Sequence, residues 1–253
     1  MALRTILLAS RLLALAGAVG SRGMKRKAAL WTHNALWLYP TLRRNCQWHG
    51  PVVTHFATDQ PEVWLTIDDG PDPRDTPDML DLLSKFGAKA SFFAIGHKVE
   101  SQPALCQRII AEGHTIENHT FSHPSSTWWI QPRALVEREM ERGSDAIWEA
   151  TGHVPHYFRS PVGMNNISVH PAADRQGLRI IGWSADGTDG CPSVPSAVVS
   201  RIMRRAQTGA IILLHESGAS RRRAVTLGRL LEALSAAGLR CVIPTDESLR
   251  SCP

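Results

Sequence analysis

Seven short runs of apolar, strand-forming residues, most of them followed by an amphipathic helical stretch, limit what this chain can fold into more than any other feature. The runs lie at 63–67, 89–95, 114–117, 156–159, 178–183, 210–214 and 239–243. They are mostly apolar throughout, as suits strands covered on both faces. Between them, apolar residues recur at helical spacing. Met79, Leu80, Leu83 and Phe86 form such a stripe, with Thr76 read as its N-cap and Pro77 as its first helical residue. Further helices are predicted over 103–112, 132–150, 196–205 and 222–237. Strand-then-helix repetition implies a parallel sheet covered by helices. A closed or partly open (β/α)7 barrel is the expected α/β fold, with its site at the C-terminal ends of the strands.

The 253 residues suffice for one such domain and an N-terminal appendage. We place the appendage at 1–45, a connector with Gly50-Pro51 and Gln60-Pro61 at 46–61, and the domain at 62–253. Net charge is +5, yet the basic residues cluster at 22–27, 43–44, 201–205 and 221–223 without a nucleic-acid motif. Those clusters read as solvated faces, and no nucleic acid is expected as partner. Cys46, Cys106, Cys191, Cys241 and Cys252 are an odd set with no close pair, so neither a disulfide framework nor a cysteine zinc site is indicated. Unpaired thiols favour a reducing compartment.

Residues 6–19 are mostly apolar but fall short of the roughly 20 that a spanning helix needs. Ala16-Gly17-Ala18 resembles a signal-peptidase site, and Met24 is an alternative start. From 25 onward Trp31, Ala35, Leu38 and Leu42 recur at helical spacing, beside Trp37, Tyr39 and flanking basic residues. Such a helix suits packing on the domain or lying on a membrane surface. The expected location is cytoplasmic and peripheral at the inner membrane, with a periplasmic or secreted enzyme as the alternative.

The chemistry starts at Asp68-Asp69, where the first strand runs into two adjacent carboxylates and Gly70-Pro71 stops it. Neighbouring carboxylates repel, and a shared cation is the usual remedy. An isolated pair would read as a solvated turn, but the rest of the chain supplies partners at strand ends. His119 and His123 follow the third strand, Arg159 ends the fourth, Asp186 and Asp189 follow the fifth, and His215 ends the sixth. Two histidines and one aspartate leave coordination positions open for water and substrate, as a hydrolytic Zn²⁺ site requires. His97, His114, His153, His156 and His170 lack a second ligand at useful spacing and read as structural. Trp128-Trp129 suits either a sugar platform or the core.

These residues carry a resemblance. Thr66-Ile67-Asp68-Asp69-Gly70-Pro71 resembles the first motif of the polysaccharide deacetylases, the NodB-homology carbohydrate esterases of family 4. His119-Thr120-Phe121-Ser122-His123 is similar to their His-Ser/Thr-x-x-His motif, Arg159-Ser160-Pro161 to Arg-x-Pro, and Leu213-Leu214-His215 to Leu-x-His. The resemblance spans roughly 62–245 in the family's motif order and implies a distorted β/α barrel. It implies a metal-dependent enzyme that removes an N-acyl group, acetyl or formyl, from an amino sugar in a glycan or glycolipid. One divalent ion would sit on Asp69, His119 and His123, with Zn²⁺ favoured and Co²⁺, Mn²⁺ or Ni²⁺ compatible. Asp68 would be the base that deprotonates the metal-bound water, and Arg159 would orient Asp68 and favour its ionised form. The backbone N–H of Val162, beside Pro161, would help stabilise the oxyanion. His215 would protonate the leaving amine, its partner being Asp189 or Asp186, with Asp189 favoured by position. Leu213 would line the acyl pocket.

Two positions depart from the family pattern. Val162 stands where an aromatic residue is common, and Gly190 where a Trp is usual. Trp128, Trp129 and Trp183 are candidates to supply the missing wall. A catalytically idle carbohydrate-binding protein of the same fold is the alternative reading, and the presence of base, three ligands and acid argues against it.

Overall fold

The strand that ends in the paired aspartates lies at the middle of the molecule. In the computed structural model, which describes residues 38–190, 193–216 and 222–250, β1 (Glu62–Gly70) has three parallel neighbours. These are β2 (Ala90–Ala94), β7 (Ile211–His215) and, at the first two residues of β1, β8 (Arg240–Cys241). From β2 the sheet continues through β3 (Thr115–Asn118) and β4 (Tyr157–Phe158) to β5 (Arg179–Ile180). On the other side β7 leads to β6 (Ala185–Asp186). Every strand pairing is parallel. β5 and β6 are the two ends of this path, so the sheet curls into a distorted barrel with a seam between them. The stretch read as one strand over 178–183 is therefore split into β5 and a crossing segment that leads to β6.

Alternation along β1 divides the core. Val63, Leu65 and Ile67 point out, into a cluster shared with Met79, Leu83 and other helix residues. Trp64 points in, where it joins Phe93, Trp183, Ile211 and Leu213. Thr66 follows on the inner side through its bond to the inward Arg159. On β7, Ile212 and Leu214 join the outer cluster while Ile211 and Leu213 join the inner one. Both faces are buried, which explains why these strands lack a polar stripe.

The helices are α1 (Thr76–Lys85), α2 (Gly96–Ser101), α3 (Pro103–Ala111), α4 (Arg133–Thr151), α5 (Val169–Arg175), α6 (Pro195–Met203), α7 (Arg223–Ala236) and α8 (Asp246–Arg250). The five longest match the amphipathic stretches. α2, α5 and α8 have no counterpart in the sequence reading, because six, seven and five residues are too few to display a period. Asp75 rather than Thr76 occupies the cap position of α1. The Thr76 hydroxyl is used differently: it accepts from the backbone of Asp72 at 2.8 Å and donates to Glu216.

The stretch 46–61, read as a connector, is built into the fold. Val52 and Phe56 are buried, Val53 bridges to Ile181, and His55 bridges to Ala210. Just before it, the backbone N–H of Asn45 donates to Gly163 at 2.9 Å. The readings of 1–37, including the apolar run, the start of the basic helix and the cleavage site, lie outside the described residues, as do Cys191 and Cys252. Among the described residues Cys46, Cys106 and Cys241 are free thiols, and burial pushes those of Cys106 and Cys241 up to about 12. No helix among the described residues is long and apolar enough to cross a membrane.

Candidate active site

Register explains how distant motifs meet. Asp68 on β1 lies level with Phe93 on β2 and with His215 on β7, while Asn118 at the end of β3 is level with Ala94 and Phe158. The candidate residues therefore emerge at one end of the barrel, the C-terminal ends of the strands.

Adjacent residues of a regular strand point to opposite faces, so Asp68 and Asp69 should not both face the interior. A bulge removes the conflict. The pairing of β1 with β2 skips a residue between Asp68 and Gly70, and Asp69 adopts φ 73°, in the left-handed region. Both carboxylates then face His119: its Nε2 is 3.8 Å from Asp68 Oδ2 and 3.6 Å from Asp69 Oδ1. Lys98 on α2 donates to the Asp69 carbonyl at 2.6 Å, which holds this conformation from the other side. Gly70 is required next, because a Cβ there would lie 1.5 Å from the carboxyl of Glu216. Glu216 is fully buried, and burial raises its pKa to about 8.

Asp69, His119 and His123 each offer one ligand atom, all within 4.8 Å of one another. His123 Nε2 is 3.5 Å from the same Asp69 oxygen that faces His119. Ligands held about 2.1 Å from a tetrahedral ion lie about 3.4 Å apart, so the three are spaced as a divalent ion needs. Protonation also suits an ion. The Nδ1–H of His119 donates to the Arg159 carbonyl at 2.8 Å, which leaves Nε2 as the bare nitrogen facing Asp69. Burial lowers the pKa of His123 to about 4, so that ring is neutral at pH 7. Burial opposes the charge of Asp69, yet contact with His119 and the positive charge that the surrounding histidines, His215 included, carry in acid outweigh it and hold its pKa below the usual carboxylate range. Its Oδ1 is buried without a hydrogen-bond donor, as an oxygen reserved for a cation would be.

The loop between the histidines is tied to α4. Asn118 accepts from the Thr120 backbone and donates to the Met140 carbonyl, and Glu139 accepts from the backbones of Phe121 and Ser122. Backbone strain gathers around this end of the barrel: of six non-glycine residues with positive φ among the described residues, five are Asp69, Thr120, His123, Val162 and Thr188. Val162, at φ 50°, is β-branched, for which this conformation is a genuine outlier.

Arg159 is completely buried beneath Asp68. Its Nη1 donates to Asp68 Oδ1 at 2.6 Å and to the Thr66 hydroxyl at 2.8 Å. Nε and Nη2 donate to the carbonyls of Ile181 and Gly182, and the guanidinium lies 4.1 Å from the centre of the Phe93 ring. Leu213, level with Thr66 on the neighbouring strand, and Trp183 are both nearly buried in the inner cluster, with Trp183 5.7 Å from the guanidinium. Pro161 is buried.

His215 meets Asp189, not Asp186. Its Nδ1–H donates to Asp189 Oδ1 at 2.7 Å, and its backbone N–H to Oδ2 at 2.8 Å. Burial alone would lower its pKa, but Asp189, with Asp68 and Asp69 behind it, raises it to about 9. Asp186 shapes the loop instead, accepting from Trp183 Nε1 at 3.1 Å and from the Thr188 backbone at 2.9 Å.

The solvated reading of the basic clusters fails at two residues. Arg223 reaches Asp189 Oδ2 at 3.1 Å and also bonds its carbonyl, and Arg201 donates to the Gly187 carbonyl at 2.8 Å. Arg223 and Arg201 lie 34 and 14 residues beyond their partners, and no sequence signal pointed to them. Trp128 is no sugar platform: it is fully buried and donates to the Met164 carbonyl. Beside Gly190 there is room, since a Cβ there would come no closer than 3.8 Å to the His215 ring.

Among known proteins, residues 56–181 match the family model of the polysaccharide deacetylases. A chitooligosaccharide deacetylase from Bradyrhizobium sp. (strain ANU 289) is 39% identical over 155 residues, covering 61% of this chain and 70% of the relative. A peptidoglycan-N-acetylglucosamine deacetylase from Bacillus cereus is 32% identical over 208 residues, covering 81% and 96%. The crystal structure of the Bc1960 peptidoglycan N-acetylglucosamine deacetylase superposes with a TM-score of 0.70 at 28% identity, covering 75% of this chain and 88% of that one.

Proposed function

Since the chain belongs to the polysaccharide deacetylase family, we propose that it hydrolyses the N-acetyl group of an N-acetylglucosamine-type unit in an oligosaccharide or glycan, using one divalent ion, Zn²⁺ by preference, on Asp69, His119 and His123. The observation that carries this reading is the division of labour between the adjacent carboxylates: Asp69 faces two imidazoles, and Asp68 is held by Arg159. When bound, the ion supplies Lewis acidity, which polarises the amide carbonyl and acidifies water.

Amide hydrolysis needs a proton taken from water and a proton given to the departing nitrogen. Asp68 is placed for the first. Arg159 fixes one of its oxygens, which leaves the second turned toward the His119 side. His215 is suited to the second, because its raised pKa keeps it protonated at neutral pH. Water's hydroxyl then ends on the acyl carbon as acetate, and the sugar keeps a free amine.

Incubating the enzyme with chitooligosaccharides and with peptidoglycan fragments tests this directly, with acetate release and the gain of free amine as readouts. Formate release from N-formyl analogues alone would replace acetyl by formyl, and no release from any N-acylated amino sugar would reject the proposal.

Loss of either histidine should weaken metal binding by more than the about 10- to 100-fold typical of removing an outer-shell partner. Equilibrium dialysis of His119→Ala and His123→Ala against Zn²⁺ and Co²⁺ measures this. Unchanged stoichiometry and affinity would remove these residues from the site.

The pH profile gives an independent check. An acid with a pKa of about 9 loses its proton as pH rises through that value, so turnover should fall on the alkaline side near pH 9. Asp189→Asn removes the main group that raises the pKa, and the alkaline limb should move down toward the ordinary imidazole value of about 6.5. An unmoved limb would assign it to another group.

A further inference from the structure

Eleven large apolar side chains are exposed among the described residues, and six of them fall on three stretches of chain. Leu38, Tyr39 and Leu42 share the helical turn that opens the described chain; Ile130 follows the histidine loop; Val162 and Ile167 follow Arg159. They are between 38% and 59% exposed. Scattered surface leucines need no explanation, but a contiguous apolar patch marks an interaction site. For Leu38, Ile130 and Ile167 contiguity is supplied by a cavity of about 210 Å³ that they line together with Thr41, Trp129, Gln131 and Asn166. The bond from Asn45 to the Gly163 carbonyl ties the first segment to the loop that carries Val162.

The chain itself indicates what covers this face. The 37 residues before Leu38 contain the apolar run at 6–19 and the basic residues Arg22, Lys25, Arg26 and Lys27, and they join the fold at the patch. Arg43 and Arg44 are exposed immediately after it, with Arg43 5.6 Å from the centre of the Tyr39 ring. Aliphatic side chains, amphipathic aromatics and cations in one place suit the boundary between lipid acyl chains and anionic headgroups.

We propose that this face docks on an anionic lipid surface, with Leu38, Leu42, Ile130 and Ile167 at the acyl boundary and the arginines among the headgroups. Docking requires no turnover, so it stands or falls separately from the deacetylase activity.

Flotation of the full-length chain with phosphatidylglycerol-containing vesicles, against pure phosphatidylcholine, tests it. Binding should favour the anionic vesicles and weaken as salt is raised. Ile130→Glu/Ile167→Glu should reduce partitioning by about tenfold or more, while deacetylation of a soluble chitooligosaccharide is unchanged. Leu42→Glu, at another exposed position, should act in the same direction and guards against a folding defect in the double variant. Wild-type binding retained in these variants would assign membrane contact to residues 1–37 alone and overturn the proposal. Concentration-dependent self-association that the same variants abolish would give the face to a second copy of the chain, and overturn it equally.

Discussion

Asp68→Asn is expected to keep its metal, keep its fold and lose about 10²- to 10⁴-fold of its turnover, the range typical for a missing general base. The amide is nearly isosteric, and its oxygen can still accept from Arg159 where the carboxylate does now at 2.6 Å. What it cannot do is take a proton from water. Asp69, one residue on, is the proposed metal ligand and is untouched, so metal content and turnover should separate cleanly. Metal analysis and initial rates of acetate release on the same preparation measure both. Turnover within about tenfold of wild type would mean that another group is the base. Loss of metal together with activity would mean that the two carboxylates are not divided as described.

The second large effect is on stability. Arg159→Met should destabilise the protein by about 3–5 kcal/mol, as breaking a buried ion pair from one side does. The guanidinium is fully buried and holds Asp68, Thr66 and two backbone carbonyls, and the thioether replaces none of those bonds. At about 2–4 °C per kcal/mol for a chain of this size, the melting temperature should drop by about 6 to 20 °C. Arg159→Lys should recover only part of this, because an ammonium lacks the fork that reaches both carbonyls and the carboxylate. Adding Asp68→Asn to Arg159→Met should cost less than the sum of the two changes, since the carboxylate then has no charge to leave unpaired. Thermal melts of the wild type and the four variants in one buffer give the result. A shift of a degree or two in Arg159→Met would contradict the packing described here.

Much of this was legible in the sequence, for a common reason. Continuous apolar runs followed by amphipathic stretches encode a buried parallel sheet, and the candidate residues fell at run ends because that is where such a sheet presents its site. The legible elements were those with local periodicity. The bulge at Asp69 was not legible, because a left-handed aspartate leaves no compositional trace. Glu216 and Lys98, which fix that bulge, look like ordinary loop and helix residues until the fold brings them to Gly70 and to the Asp69 carbonyl. Position in the motif favoured Asp189 over Asp186 without deciding between them, and only tertiary placement sets Asp189 against His215. Arg223 and Arg201 were hidden in runs of like charge, where the member that turns inward is indistinguishable by sequence from the others.

The seam between β5 and β6 bears on how this barrel tolerates a cation at its centre. Had β5 run on as a regular strand, the carbonyls of Ile181 and Gly182 would point to opposite sides as ladder acceptors. Here the chain crosses the gap as an irregular segment, and those two oxygens turn toward the guanidinium of Arg159. Incomplete closure thus acts as a socket: missing rungs of the ladder become the ligands of a permanently charged side chain, which in turn grips Asp68. A change that extended β5 as regular ladder through Gly182 would compete with the arginine for these acceptors and loosen its hold on Asp68. In this chain the irregular segment after β5 supplies the acceptors that a buried arginine under the site needs.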